Sequence, residues 1–313
     1  SKFNEVKLEN HSDGTSNSHF YLFKNRVKFE DAGRHYLQLE YTENGKVICL
    51  SHPMAIDFEP EKINLFLLSI GTDPIDLKFP TNDASDFASL FENQSLFKKV
   101  YTRKLIGEEA TATRIKLELS KLRKNSFITE RDMVIVFMSS HGFIRHDGNF
   151  SIQANDYDLI DPMETSIAFN QITTRLNSLK CKKMLFMDAC HSGVADARHL
   201  EGGKGSAATK QAARVALQKL LVPKNGWVMI TSSGDEPSWE HENWQNGSFT
   251  EAIVKALEKG QADLNNNGLV SIKELYDFLK IKVPELNQSV DFPSQTPQMT
   301  NMIGEDLEFF QIN

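Results

Sequence analysis

Four short apolar runs, each followed directly by a polar cluster, constrain the fold of this chain more than any other feature. Each run has the length and unbroken hydrophobicity of a strand buried on both faces of a parallel sheet. Segments with helical periodicity lie between the runs, which favours βαβ units with helices on both faces of the sheet. We therefore predict an α/β fold whose mostly parallel sheet contains INLFLLSI (63–70), MVIVFM (133–138), MLFM (184–187) and WVMI (227–230).

The segment after the first run shows the clearest helical pattern. Its apolar residues recur at helical spacing, and Asn82 precedes them at a position typical of an N-cap. We predict a helix over residues 83–97, and further helices over 113–122 and 166–179.

The chain divides by pattern into an appendage and a large domain. Residues 1–60 alternate as strands do and contain the hairpin signal TENGK, so we predict a small β-rich N-terminal appendage or the remnant of an upstream domain. Residues 61–313 form the large domain. Within it, a Gly-, Lys- and Ser-containing polar segment, 196–225, predicts an exposed loop between the parts 61–195 and 226–313.

The composition excludes several classes of partner. With a net charge of −7 the chain lacks the basic surface that nucleic acids or anionic membranes require. No apolar run approaches the roughly 20 residues that span a bilayer. The 3 cysteines are too few for a disulfide framework and favour a reducing compartment, so we expect a cytoplasmic protein.

The polar clusters IGTD, SSHG, DACHSG and TSSGDE each follow one of the four runs. Because parallel strands present their carboxyl ends at one edge of a sheet, these clusters are expected to meet in one cleft. There Cys190 can be activated as a nucleophile by an imidazole. Its neighbour His191 faces the opposite side of an extended chain, so His141 is the better base. The amides of Gly142 and Cys190 are suited to form an oxyanion hole.

Other interpretations of these residues remain open. A cysteine after a strand is often a small buried hydrophobe, and a single histidine is often structural. A zinc site is disfavoured because no CxxC or HxxxH spacing is present, and serine hydrolysis because there is no G-x-S-x-G motif.

The two motifs MVIVFMSSHG and KKMLFMDACHSG resemble the caspase–haemoglobinase clan of cysteine peptidases, and their His141 and Cys190 are 49 residues apart. DACHSG is the form of the metacaspases and orthocaspases, the latter being prokaryotic. The segments FPTNDASDFASLF, TSSGDEPSWE, GSFTEAIVKAL and SQTPQM are also similar, so the likeness covers residues 62–300. It implies a three-layer sandwich with a central, mostly parallel sheet.

The resemblance implies a cysteine endopeptidase in which Cys190 attacks the scissile carbonyl and His141 activates the thiol or protonates the leaving amine. Asp83 matches the acid that this family places in its first specificity pocket; the less favoured alternative is a helix N-terminal charge stabilised by the dipole. Asp188 lies two residues before Cys190 and so shares its side of the strand. Two carboxylates favour cleavage after Arg or Lys. Ser232 and Asp235 are further candidates for the same cleft.

The same resemblance implies that the polar loop is a cleavage site, because caspases are cut between their large and small subunits at the corresponding place. It offers basic residues at Arg198, Lys204, Lys210 and Arg214. We expect self-cleavage there.

A second motif, DLNNNGLVSIKE, fits the loop of an EF-hand. Only two of its ligands are charged, so any affinity for Ca²⁺ should be low, and the alternative is a simple connector between two helices. The ligands would be Asp263, Asn265, Asn267, the Leu269 carbonyl, Ser271 and Glu274.

These observations predict an Arg/Lys-specific cysteine endopeptidase that acts on proteins or peptides. It would need no obligatory cofactor, with Ca²⁺ as the one candidate, and no nucleic-acid or membrane partner. An upstream regulatory domain or partner is compatible with the appendage, and the resemblance implies a monomer in stress response or defence. The competing hypotheses are a catalytically silent caspase-like scaffold and a calcium-sensing interaction module.

Overall fold

A computed structural model describes residues 9–11, 20–22, 33–58, 61–74, 77–145, 149–190, 227–232, 236–301, 303 and 306–312. The chain divides into two compact units, residues 1–61 and residues 62–313. The predicted exposed loop 196–225 and the candidate residue Asp235 lie outside the described residues.

The N-terminal unit consists of antiparallel strand pairs, as its alternating sequence predicts. At the tip of one hairpin, Asn44 and Gly45 both have positive φ, 48° and 76°, which is the conformation that an Asn-Gly turn favours. The strand pairs are β1 (Glu9–His11) with β2 (Phe20–Leu22), β3 (Gly33–Leu37) with β6 (Met54–Phe58), and β4 (Glu40–Glu43) with β5 (Lys46–Leu50).

The second unit alternates strands and helices in the predicted order. Its strands are β7 (Asn64–Gly71), β8 (Lys99–Ile106), β9 (Met133–Ile144), β10 (Phe150–Gln153), β11 (Ser166–Ala168), β12 (Lys182–Cys190), β13 (Trp227–Thr231), β14 (Glu240–His241), β15 (Asn246–Gly247), β16 (Leu269–Ser271), β17 (Gln298–Asn301) and β18 (Glu308–Gln311). Its helices are α1 (Pro80–Ser89), α2 (Ala112–Lys124), α3 (Phe169–Asn177), α4 (Ser248–Glu258) and α5 (Ile272–Gln288).

The central sheet contains eight strands and is mostly parallel. Strands β8, β7, β9, β12 and β13 lie side by side in that order and run parallel, and β17 adds to β13 in the antiparallel sense. The strands β10 and β11 extend the sheet beyond the carboxyl end of β7, by pairing with the last residues of β9. The four apolar runs are therefore confirmed as neighbouring strands of one sheet.

Helices cover both faces of this sheet, so the predicted three-layer arrangement is confirmed. One core joins α1, α4 and α5 to one face through side chains such as Phe87, Phe137 and Phe186. A second core joins α2 and α3 to the opposite face through side chains such as Ile115, Val136 and Leu185. Among the described residues, no helix is both long enough and apolar enough to cross a membrane.

The predicted bounds of the first helix were wrong. Helix α1 begins at Pro80, which suits a first turn because its fixed φ is helical, and it ends at Ser89 rather than near residue 97. Asn82 is not the N-cap. Its side-chain amide donates to the Gln245 carbonyl, and the Asp73 carboxylate instead accepts the amide and hydroxyl of Thr81. The segment 166–179 also differs, since its first three residues form β11.

Candidate active site

His141 and Cys190 are direct neighbours across two parallel strands. Strands β9 and β12 are paired from Met133 and Lys182 to His141 and Cys190, without a register shift. Both residues therefore lie at the carboxyl end of the sheet, where ligand sites of open parallel sheets form. The predicted convergence of these two polar clusters is present in the structure.

The strands also define which face of the sheet the site uses. Phe137 of β9 and Phe186 of β12 belong to the core under α1, α4 and α5. Because side chains alternate along a strand, Ser139 and Asp188 lie on that same face, and His141 continues the row of Ser139. Ser139 and Asp188 are themselves register partners.

Asp83 reaches this face from the first turn of α1. Its side chain is 2% exposed. Oδ2 accepts a hydrogen bond from the Ser139 hydroxyl at 2.7 Å, and Oδ1 accepts one from the Gly247 amide at 2.8 Å. Asp83 is thus a buried acid tied to the central sheet, and it also lies in the first turn of α1, where the helix dipole favours a negative charge.

Asp188 is the second buried acid, 6% exposed, and it is held by α4. Its Oδ2 accepts the Thr250 hydroxyl at 2.8 Å and the Thr250 amide at 3.3 Å. Gly247 passes so close that a β-carbon there would lie 2.5 Å from the same oxygen. Two carboxylates, one from α1 and one from β12, therefore meet at the start of α4.

Burial and mutual repulsion dominate the electrostatics of this pair. Burial, reinforced by the charge of Asp188, raises the pKa of the Asp83 carboxyl well above its usual range. Burial also raises the pKa of Asp188 to about 6, against the opposing effect of the hydrogen bonds from Thr250 and Ser232. The nearby Glu240 carboxylate adds to the negative potential at both acids. A cationic group beside these acids would offset their negative charge.

The remaining candidates occupy different positions. Gly142 is buried in β9 and is the register partner of Ile152 in β10. Ser232 has no exposed surface; its amide donates to the Met187 carbonyl at 2.8 Å, and its hydroxyl is hydrogen-bonded to that of Ser238 at 2.6 Å. Because Ser232 also hydrogen-bonds Asp188, it lies behind the acid rather than on an open surface.

Three residues that donate hydrogen bonds to the two buried acids were not identified from the sequence, although the sequence around each of them gave an indication. Ser139 precedes His141 by two residues, the same alternation that relates Asp188 to Cys190. Gly247 and Thr250 both lie in GSFTEAIVKAL, a segment that resembles the family.

The EF-hand-like segment is a folded loop between α4 and α5. The Asp263 carboxylate accepts the amides of Asn267 and Gly268, and Gly268 has a φ of 79°. Glu274 accepts the amides of Asn265 and Ser271, the latter as one half of a capping box. Neither this loop nor any other described part of the chain contains a group of three His, Cys, Asp or Glu side chains that could hold a metal ion.

A family pattern and one solved structure agree with this fold, and a second solved structure is also similar. The sequence pattern of the caspase domain matches residues 70–308. A solved structure of protein GSU0716 from Geobacter sulfurreducens has 17% identity and a TM-score of 0.51, covering 76% of this chain and 92% of its own. Caspase-1 from Spodoptera frugiperda has 16% identity and a TM-score of 0.48, covering 80% of this chain and 90% of its own. No curated protein sequence matches the chain.

The fold and the site together define a class of protein. A sheet of caspase type, with a histidine and a cysteine side by side at its carboxyl end, is the framework of a caspase-like cysteine peptidase. This chain belongs to the caspase-domain family, whose sequence pattern covers most of the second unit. Its substrates are accordingly proteins.

Proposed function

We propose that this protein is a cysteine endopeptidase that cleaves after Arg or Lys by means of Cys190 and His141. The observation that carries the proposal is the pairing of these two residues at the ends of β12 and β9. The Cys190 thiolate adds to the scissile carbonyl and the amine leaves with a proton from the His141 imidazolium. Water then hydrolyses the thioester and restores the thiol.

The amides of Gly142 and Cys190 are proposed to stabilise the oxyanion. Glycine suits this position because the absence of a side chain allows a substrate carbonyl to approach the backbone closely. Removing one donor of such a hole typically lowers kcat by about a hundredfold or more.

The proposed specificity follows from the charges around Asp83 and Asp188. A pair of carboxylates that is this deeply buried repels itself, and a bound guanidinium or ammonium relieves that repulsion. An acidic substrate side chain would instead add a third negative charge. The neighbouring Glu240 strengthens the same preference.

Self-cleavage in the 196–225 segment is part of the proposal, since its Arg198, Lys204, Lys210 and Arg214 are the side chains that the carboxylates would select. A reducing compartment is proposed because the chain has only 3 cysteines and its nucleophile must remain a thiol.

Fluorogenic peptides that differ only in an Arg, Lys or Asp before the cleaved bond test this function. We expect turnover of the Arg and Lys peptides, and its loss in the Cys190→Ala and His141→Ala variants. Both variants should keep the wild-type melting temperature. Turnover of the Asp peptide alone would contradict the specificity, and silence on every peptide would favour a caspase-like scaffold.

Asp188→Asn is the matched test of specificity, because it removes one charge at nearly constant volume. We expect a large rise in KM for the Arg peptide, on the order of a hundredfold, since a charge-assisted hydrogen bond is worth about 2–3 kcal/mol. Alkylation of Cys190 by iodoacetamide should proceed at the wild-type rate, which separates loss of binding from loss of the nucleophile.

A further inference from the structure

Helix α4 begins with amide groups that its own N-cap residue leaves unsatisfied. Gly247 occupies the N-cap position and makes no side-chain cap. Two acids from other elements accept these amides instead: Asp83 from Gly247, and Asp188 from Thr250. The positive end of the helix dipole therefore faces both carboxylates and favours their charged forms.

Thr250 gives Asp188 a second donor through its side chain. Its hydroxyl lies 2.8 Å from Oδ2, and the residue has no exposed surface, so water does not compete for this bond. A hydroxyl that donates to a carboxylate stabilises the ionised acid relative to the neutral one. Thr250 thus opposes the burial that would neutralise Asp188.

The surrounding charges explain why this bond is needed. Glu240 of β14 places negative charge near Asp188, and the charge of Asp188 in turn raises the pKa of the other buried acid, Asp83 of α1. His141 of β9 follows on the same face of the sheet. Even with its present hydrogen bonds, burial leaves the pKa of Asp188 at about 6. Losing the Thr250 hydroxyl would raise the pKa of Asp188 further and shift the acid towards its neutral form.

We propose that Thr250 is a positioning residue for substrate specificity, which keeps Asp188 ionised and oriented so that it can bind an Arg or Lys side chain. The proposal rests on the function proposed above for the two acids. Thr250 would then set the lower pH limit of substrate binding, because it stabilises the ionised form of Asp188. A neutral Asp188 lacks the charge that a guanidinium requires.

The test compares Thr250→Val, which removes only the hydroxyl, with Thr250→Ser, which keeps it. We expect the acid limb of kcat/KM for the Arg peptide to move up by about one pH unit in Thr250→Val. Near pH 6 this corresponds to a roughly fivefold loss, carried by KM, with wild-type values restored at high pH. Thr250→Ser should follow the wild-type profile.

Thr129→Val is the matched control. The amide and hydroxyl of Thr129 both donate to Asp132 Oδ2 at 2.8 Å, so the same pair of bonds exists before the opposite end of β9. This variant should lower the free energy of unfolding and leave the pH profile unchanged. An equal loss at every pH in Thr250→Val, or a limb that does not move, would overturn the proposal.

Kinetics alone does not assign the acid limb to Asp188. The carboxyl carbon of Asp188, followed by ¹³C NMR and assigned with Asp188→Asn, reports its ionisation directly. A higher midpoint in Thr250→Val than in Thr250→Ser supports the proposal, and equal midpoints refute it. Since this measurement needs no turnover, a protein that cleaved nothing would overturn the proposed function while still testing the effect of Thr250 on Asp188.

Discussion

Gly247 lies against the Asp188 carboxylate, and a β-carbon at position 247 would stand 2.5 Å from Oδ2 and 3.2 Å from the carboxyl carbon. The same glycine donates its amide to Asp83. A single backbone position thus touches both acids, and no larger residue fits there without moving at least one of them.

Gly247→Ala should therefore impair substrate binding more than chemistry. We expect a loss of about 1–3 kcal/mol in the free energy of unfolding from overpacking. We also expect KM for the Arg peptide to rise by roughly tenfold, or about 1.4 kcal/mol, as Asp188 is displaced. The rate of Cys190 alkylation should stay at the wild-type value.

Gly260→Ala is the control for this prediction. Gly260 has a φ of 62°, and a β-carbon there would lie 2.9 Å from the Ile312 side chain, so the substitution is strained but remote from the acids. It should cost stability without changing KM. An unchanged KM in Gly247→Ala would show that the two acids adjust to the added methyl group without losing their function.

Asp188 should make the protein less stable as the pH rises. Its pKa is raised from an ordinary 3.8 to about 6, so between these values the folded state binds more protons than the unfolded state. The contribution of Asp188 to the free energy of unfolding is therefore present at low pH and is lost as the pH rises through about 6. It amounts to about 2–3 kcal/mol.

Urea unfolding of Asp188→Asn at several pH values checks this sign. We expect the variant to be more stable than the wild type near pH 8 and to lose that advantage near pH 4, because the amide has no proton to release. A variant that was less stable at both pH values would mean that the carboxylate's hydrogen bonds outweigh the cost of burying its charge.

Self-cleavage can be tested on the intact chain. The wild-type protein should yield two fragments on a denaturing gel after expression, with a break after a basic residue between 196 and 225 that mass spectrometry locates. Cys190→Ala should remain one chain. If Cys190→Ala also appeared as two fragments, another protease would be responsible.

The 263–274 loop is expected to bind Ca²⁺ weakly. Each oxygen of the Asp263 carboxylate accepts one backbone amide and keeps a second lone pair, so capping and ligation are compatible. Because only Asp263 and Glu274 are charged, we expect a rise in melting temperature only at millimolar Ca²⁺. Mg²⁺ should have no such effect.

Glu274→Gln is the matched variant, because glutamine can retain the capping-box hydrogen bond to Ser271 but is a poor calcium ligand. It should abolish the response to Ca²⁺ and leave the melting temperature in its absence nearly unchanged. A wild-type protein that did not respond would identify the loop as a connector between α4 and α5.

Sequence patterns predicted the sheet well and the surroundings of the two buried acids only in part. Continuous apolar runs indicate buried parallel strands because every position of such a strand is covered, and the meeting of His141 with Cys190 followed from where those strands end. The start of α1 was predicted wrongly because its cap comes from Asp73 through a tertiary contact. Gly247 and Thr250 could not be found by spacing, since their importance lies in contacts with residues more than 60 positions earlier.

The pairing of β12 with β13 has a consequence for a cut chain. These strands precede and follow the 191–226 segment, and they are paired over five positions, from Lys183 with Trp227 to Met187 with Thr231. Thr250, which follows the segment in sequence, donates a hydrogen bond to Asp188, which precedes it. A break in that segment would therefore leave two polypeptides joined as a non-covalent heterodimer. Maturation would change the connectivity of the chain and not its architecture, so size-exclusion chromatography should show one particle where a denaturing gel shows two bands.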